Sequence, residues 1–265
     1  GTLAGQFNTG AAGARVDLLG GTWTQLAAGA PVVSGSGSTR LVAGVLQLHD
    51  AIANLLLVGG TVIPLADFQN NGAITNLVMD GAALAGTNTV SGTLRWRDGT
   101  FSGALTVLSN ALLVIEGGAT KSLNAALTNR GTVQFAGTGD LYVNGTAGAR
   151  IENEGLFDFT GNLNLYGISG SPVFRNSGTV RKSAGTGTAN LGVSISYPVV
   201  LHNTGLIESL NGVLQLFGGG TLAGQFNTGA AGARVDLLGG TWTQLAAGAP
   251  VVSGSGSTRL VAGVL

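Results

Sequence analysis

The sequence predicts an all-β chain wound as a right-handed parallel β-solenoid, and three observations carry that expectation. Residues 220–265 reproduce residues 1–46 letter for letter at an offset of 219, and self-similarity at a fixed period marks a repeat architecture. Within that period an Asn-x-Gly motif with apolar flanks recurs at spacings of 24, 23 and 27 residues. Short apolar runs alternate with polar residues at period two between Gly- and Asn-rich turns, which is strand patterning rather than helix patterning.

The alternation is plain in Arg15-Val-Asp-Leu-Leu, Val45-Leu-Gln-Leu, Thr132-Val-Gln-Phe, Leu156-Phe-Asp-Phe and Val213-Leu-Gln-Leu-Phe. The Asn motif reads apolar-x-Asn-x-Gly-x-apolar. Its pairs are Asn70 and Gly72, Asn129 and Gly131, Asn153 and Gly155, Asn176 and Gly178, and Asn203 and Gly205. Phe68, Leu127, Ile151, Phe174 and Leu201 lead it, and Ile74, Val133, Phe157, Val180 and Ile207 follow it.

This spacing suits one coil of two or three short strands. It is too short for a sandwich domain or a propeller blade of roughly 40 to 50 residues. A single coil cannot bury its apolar side, but stacked on a neighbour it can, with strands pairing in parallel along the axis. The Asn of each coil is then expected to join an inward ladder of amides. The Gly two residues on is expected to supply a positive φ at the corner. A second motif supplies other turns: Val78-Met-Asp-Gly-Ala-Ala-Leu-Ala-Gly aligns without a gap on Leu216-Phe-Gly-Gly-Gly-Thr-Leu-Ala-Gly.

The chain therefore divides into residues 1–219, one full period, and 220–265, the opening of the next. One period should hold about ten coils. The first residue is not Met and the last run is apolar, as expected of a window from a longer polypeptide whose array continues both ways.

Composition narrows the function. Only 9% of the 265 residues are charged, against about 25% in ordinary soluble domains. Yet 44% are hydrophobic, more than a disordered linker carries. Twelve basic and twelve acidic residues cancel, which argues against nucleic acid or an anionic membrane as partner. There is no Cys, so no disulfide or thiolate metal site forms. No apolar run reaches the roughly 18 residues of a membrane helix.

Chemistry-bearing residues are sparse. His49 and His202 stand alone, outside metal-ligand spacing. Glu152, Glu154 and Asp158, with Asp140 a coil earlier, form the densest acidic group. Two carboxylates at i and i+2 of a strand face one way, as a cation site or glycosidase pair requires. Arg130, Arg150 and Arg175 on adjacent coils favour a solvated ion-pair ladder instead. No Gly-x-Ser-x-Gly elbow and no calcium-binding nonapeptide occurs. Arg95-Trp96-Arg97 invites two readings. Trp96 stacks on a sugar or base, or it packs inward while both arginines point out. No catalytic, cofactor or metal residue is assigned. The five Asn and five Gly of the motif are structural candidates, and Arg95, Trp96 and Arg97 are candidate ligand contacts.

The Asn-x-Gly-Thr corners, Gly-Gly-Thr-Leu turns and Ala/Gly/Thr/Val-rich coils resemble the repeat regions of giant bacterial surface proteins. Autotransporter passengers and filamentous-haemagglutinin-type adhesins are families of this kind that the chain resembles. The resemblance implies an exported fibre, stalk or adhesin shaft on or outside the cell, with no enzymatic residues to carry over. Its expected partners are further copies of the same repeat stacked end to end, with lateral bundling, and a surface or matrix glycan. The alternative is a polysaccharide-binding adhesin or a pectate-lyase-like solenoid acting on polysaccharide.

Overall fold

The computed structural model describes residues 1–27, 31–245 and 248–265, and the side chain of Asn70 also lies outside the described part. The chain winds through about 12 turns of a parallel β-solenoid. A regular coil has three strands, as in Arg150–Asn153, Leu156–Phe159 and Asn164–Ile168. Each pairs in register with its equivalent in the next coil: Ile151 lies opposite Phe174, Phe157 opposite Val180, and Leu165 opposite Leu191. We name the three sides the asparagine, phenylalanine and tyrosine faces, after residues they carry in these coils.

Period-two alternation explains the core. Every second residue of a strand points inward, and in-register parallel pairing sets it over its counterpart. Leu127, Ile151, Phe174 and Leu201 form one buried column, and Val133, Phe157, Val180 and Ile207 form another. Aromatic rings meet between and beside these columns: Phe157 and Phe174, one from each column, lie edge to face at 5.3 Å, and Phe135 and Phe159, paired in the adjacent inward row, are tilted at 5.6 Å. Two long strands, Ile74–Leu84 and Asn88–Phe101, bend around all three faces in place of three separate strands.

The corners correct two expectations. Gly131, Gly155, Gly178 and Gly205 lie outside the positive-φ region. They are glycines because the backbone of the preceding coil approaches too closely for a side chain. A Cβ on Gly155 would lie 2.2 Å from the carbonyl oxygen of Gly131, and one on Gly178 2.2 Å from that of Gly155. Only Gly72 adopts the expected left-handed φ, at +65°. Its motif is also the exception in structure, because Phe68–Asn70 forms a 3₁₀ turn with Gln69 at φ +51°.

Two faces break near that turn. Among the described residues, Gln6–Thr9 pairs with Val32–Gly35 alone, and Arg15–Leu18, Ser38–Leu41 and Leu55–Leu57 form a separate three-stranded sheet. Among the described residues, strand pairing continues upward on the tyrosine face alone, through Thr61 opposite Ala83 and Val62 opposite Leu84. A cleft of about 300 Å³ opens there, lined by Leu48, Ile52, Leu55, Leu57, Leu77 and Val78.

The duplicated sequence keeps its internal pairing. Thr2 faces Thr24 as Thr221 faces Thr243, Gln6 faces Val32 as Gln225 faces Val251, and Arg15 faces Ser38 as Arg234 faces Ser257.

Candidate functional site

Asn129, Asn153, Asn176 and Asn203 are buried and stacked at the corner between the asparagine and phenylalanine faces. Each side-chain N–H donates upward to the next Asn Oδ1, at 2.7 Å in all three steps. The same amides donate to the carbonyls of Leu156, Thr179 and Leu206 at 2.9, 3.0 and 3.1 Å. Asn203 ends the row by donating to the Ala223 carbonyl at 2.6 Å. Apolar neighbours bound the ladder, Val107 beneath Asn129 and Leu222 above Asn203. Asn129 Oδ1 is accordingly buried without a partner. A buried amide polar at both ends needs neighbours of its own kind, and the stacking supplies them.

Ion pairs run outside this ladder. Glu152 accepts from Arg150 at 3.2 Å and Arg175 at 2.8 Å, and Glu154 from Arg130 at 3.0 Å. Asp158 lies on the phenylalanine face, in the row Gln134, Asp158, Arg181 and Glu208. Burial raises the Asp158 carboxyl above its ordinary range, against the pull of Ser183 and Arg181. With Asp140 beside the tyrosine face, accepting from Asn164, the acidic group of the sequence is divided among all three faces, and its two glutamates are held by arginines. Among the described residues, no group of three or more His, Asp and Glu could hold a metal ion. His49 Nδ1 meets the Asp67 carboxylate at 2.7 Å, and His202 Nδ1 meets Thr221 Oγ1 at 2.9 Å.

Trp96 is fully buried and stacks on Phe101 with ring centroids 3.7 Å apart. This settles the two readings of Arg95-Trp96-Arg97 against a ring offered to a ligand. Arg95 and Arg97 point outward and both clamp Glu116, at 2.9 and 3.0 Å. Burial works against the Glu116 carboxylate, but the two guanidiniums outweigh it and hold its pKa below the usual range.

Two features lie beyond the sequence signals. Lys182 is fully buried, and its ammonium donates to Gly161 O, Asn162 Oδ1, Ala184 O and Gly185 O at 2.5 to 3.3 Å. Burial lowers its pKa. Lys121 is buried likewise and donates to Ala119 O at 2.6 Å. The inward parity of Lys182, aligned on Phe135 and Phe159, was the readable signal. The tyrosine face carries Tyr142, Tyr166 and Tyr197 edge to face at 5.2 and 5.6 Å. Beside them Asn190 donates to Asn164 at 2.7 Å, and Asn164 to Asp140 at 3.0 Å.

Comparison with protein-family models, curated proteins and solved structures finds no match.

Proposed function

We propose that the chain is a length of structural shaft, a β-solenoid fibre on or outside a bacterial cell that serves as a stalk, filament or adhesin shaft and not as an enzyme. One observation carries this reading. The strands of each coil pair in parallel register with their equivalents over about 12 turns, and the 219-residue period that lays down these coils starts again at Gly220 with its internal pairing kept, Thr221 opposite Thr243 as Thr2 is opposite Thr24. Each further copy of such a period extends the stack along one axis. Electron microscopy of the purified chain at rising concentration tests the reading. Filaments of uniform width that lengthen with concentration are expected, and rods that stay single at every concentration would overturn it.

A second reading is supported by the tyrosine face. Exposed aromatic edges beside amides and a carboxylate offer the stacking and hydrogen bonds that sugars use. Glycan-array binding lost in Tyr197→Ala would favour a glycan-binding shaft, and unchanged or absent binding would remove it.

A further inference from the structure

The two copies of the duplicated segment do not lie on the same faces. Thr2–Leu3 belongs to the tyrosine face. From it the ladder climbs through Thr22–Gln25, Val45–Leu48, Thr61–Pro64 and the long strands to Val213–Phe217 in ten pairing steps. Its counterpart Gly220–Leu222 pairs with Val200–Asn203, on the asparagine face. The period is therefore ten coils and one face. The ion pair Arg40–Asp17 lies on the phenylalanine face, and its twin Arg259–Asp236 lies on the tyrosine face, with the same bidentate geometry at 2.8 to 2.9 Å.

We propose that tandem copies of this period turn by one face each, so that every surface feature returns on the three faces in succession and meets partners on all sides of the shaft. The offset stands within this chain, and its extension to an array rests on the shaft reading above. At roughly 4.8 Å between paired strands, one period advances about 50 Å and the full structural repeat is about 150 Å. A partner that reads one patch of the repeat finds it on a different side every period. Such a shaft suits a surrounding network of matrix polymers or receptors, met in three dimensions. It does not suit a flat layer, and face-to-face bundling through one face cannot extend past a single period.

The test places one peptide tag between Ala11 and Ala12 and an identical tag between Ala230 and Ala231. Both turns are exposed, with open space at Gly13 and Gly232. A Fab against the tag then marks both in a cryo-electron-microscopy reconstruction, with single-tag chains as controls. One Fab should sit at the asparagine–phenylalanine corner and the other at the phenylalanine–tyrosine corner. Sheet twist rotates the rod smoothly but leaves the corner occupied by each Fab unchanged. Two Fabs on one corner overturn the proposal, even if the rods still assemble into filaments. Rods that never assemble while the Fabs occupy different corners overturn the shaft instead. A second measurement needs no Fab, because the chain has no native Cys. Nitroxides on His202→Cys and Thr221→Cys should show strong spin exchange, and a spectrum equal to the sum of the single-label spectra overturns the offset.

Discussion

Replacing Asn153 by Ala strikes the middle of the amide ladder. The substitution removes the donor to Asn176 Oδ1 and to the Thr179 carbonyl, and the acceptor of the Asn129 amide. Asn129 keeps its bond to the Leu156 carbonyl, so the principal orphan is Asn176 Oδ1. An orphaned buried acceptor plus one lost net hydrogen bond amounts to roughly 2 to 4 kcal/mol. Asn129→Ala should cost less, about 1 to 2 kcal/mol, because its own Oδ1 already lacks a partner. Exposed Asn211→Ala should stay within about 0.5 kcal/mol. Urea denaturation gives the ranking. Repeat arrays do not always unfold in one step, so hydrogen exchange across Arg150–Asn153 and Val173–Asn176 supplies the local reading. Equal shifts for Asn153→Ala and Asn211→Ala would refute the ladder as a source of stability.

Gly155→Ala should destabilise by at least about 2 kcal/mol through overpacking against the Gly131 carbonyl, although its φ is ordinary. A neutral melting shift would show that the coils can part there. Lys182 has a folded pKa below its unfolded value of 10.5, so the unfolded chain binds its proton more tightly and wild-type stability should rise as pH climbs between the two. Lys182→Met should flatten that rise, and identical pH slopes in urea titrations would contradict the burial argument. Trp96→Ala should cost about 3 to 5 kcal/mol, whereas Arg95→Ala and Arg97→Ala should each cost under about 1 kcal/mol; comparable losses in thermal melts would undo the inward placement. Amides of residues 49–57 and 74–79 should exchange faster than those of Leu156–Phe159, since two faces break there, and uniform protection would contradict the interruption.

The sequence by itself determined the class of fold, the coil spacing and the duplicated segment. Alternation puts Phe157 inside and Asp158 outside in any strand, and the spacing of Asn129, Asn153, Asn176 and Asn203 already states one amide per coil. These are local properties, set by a side-chain period that does not depend on what lies above or below. The reason for Gly155 was not local. Its φ is unremarkable, and the need for Gly comes from a carbonyl 24 positions earlier in the chain, which only stacking brings within 2.2 Å of the missing Cβ. The motif at Asn70 looked like the other four, yet the break in two faces turned it into a 3₁₀ turn. Trp96 and Arg95 share one short stretch, and only the core and Glu116 decided which turned inward. Lys182 is charged and still buried, because four oxygens from two turns converge on its ammonium. The face on which each copy lies was also decided by tertiary structure, since it follows from the sum of ten unequal coils. No single coil contains that sum, and so no local pattern could announce it.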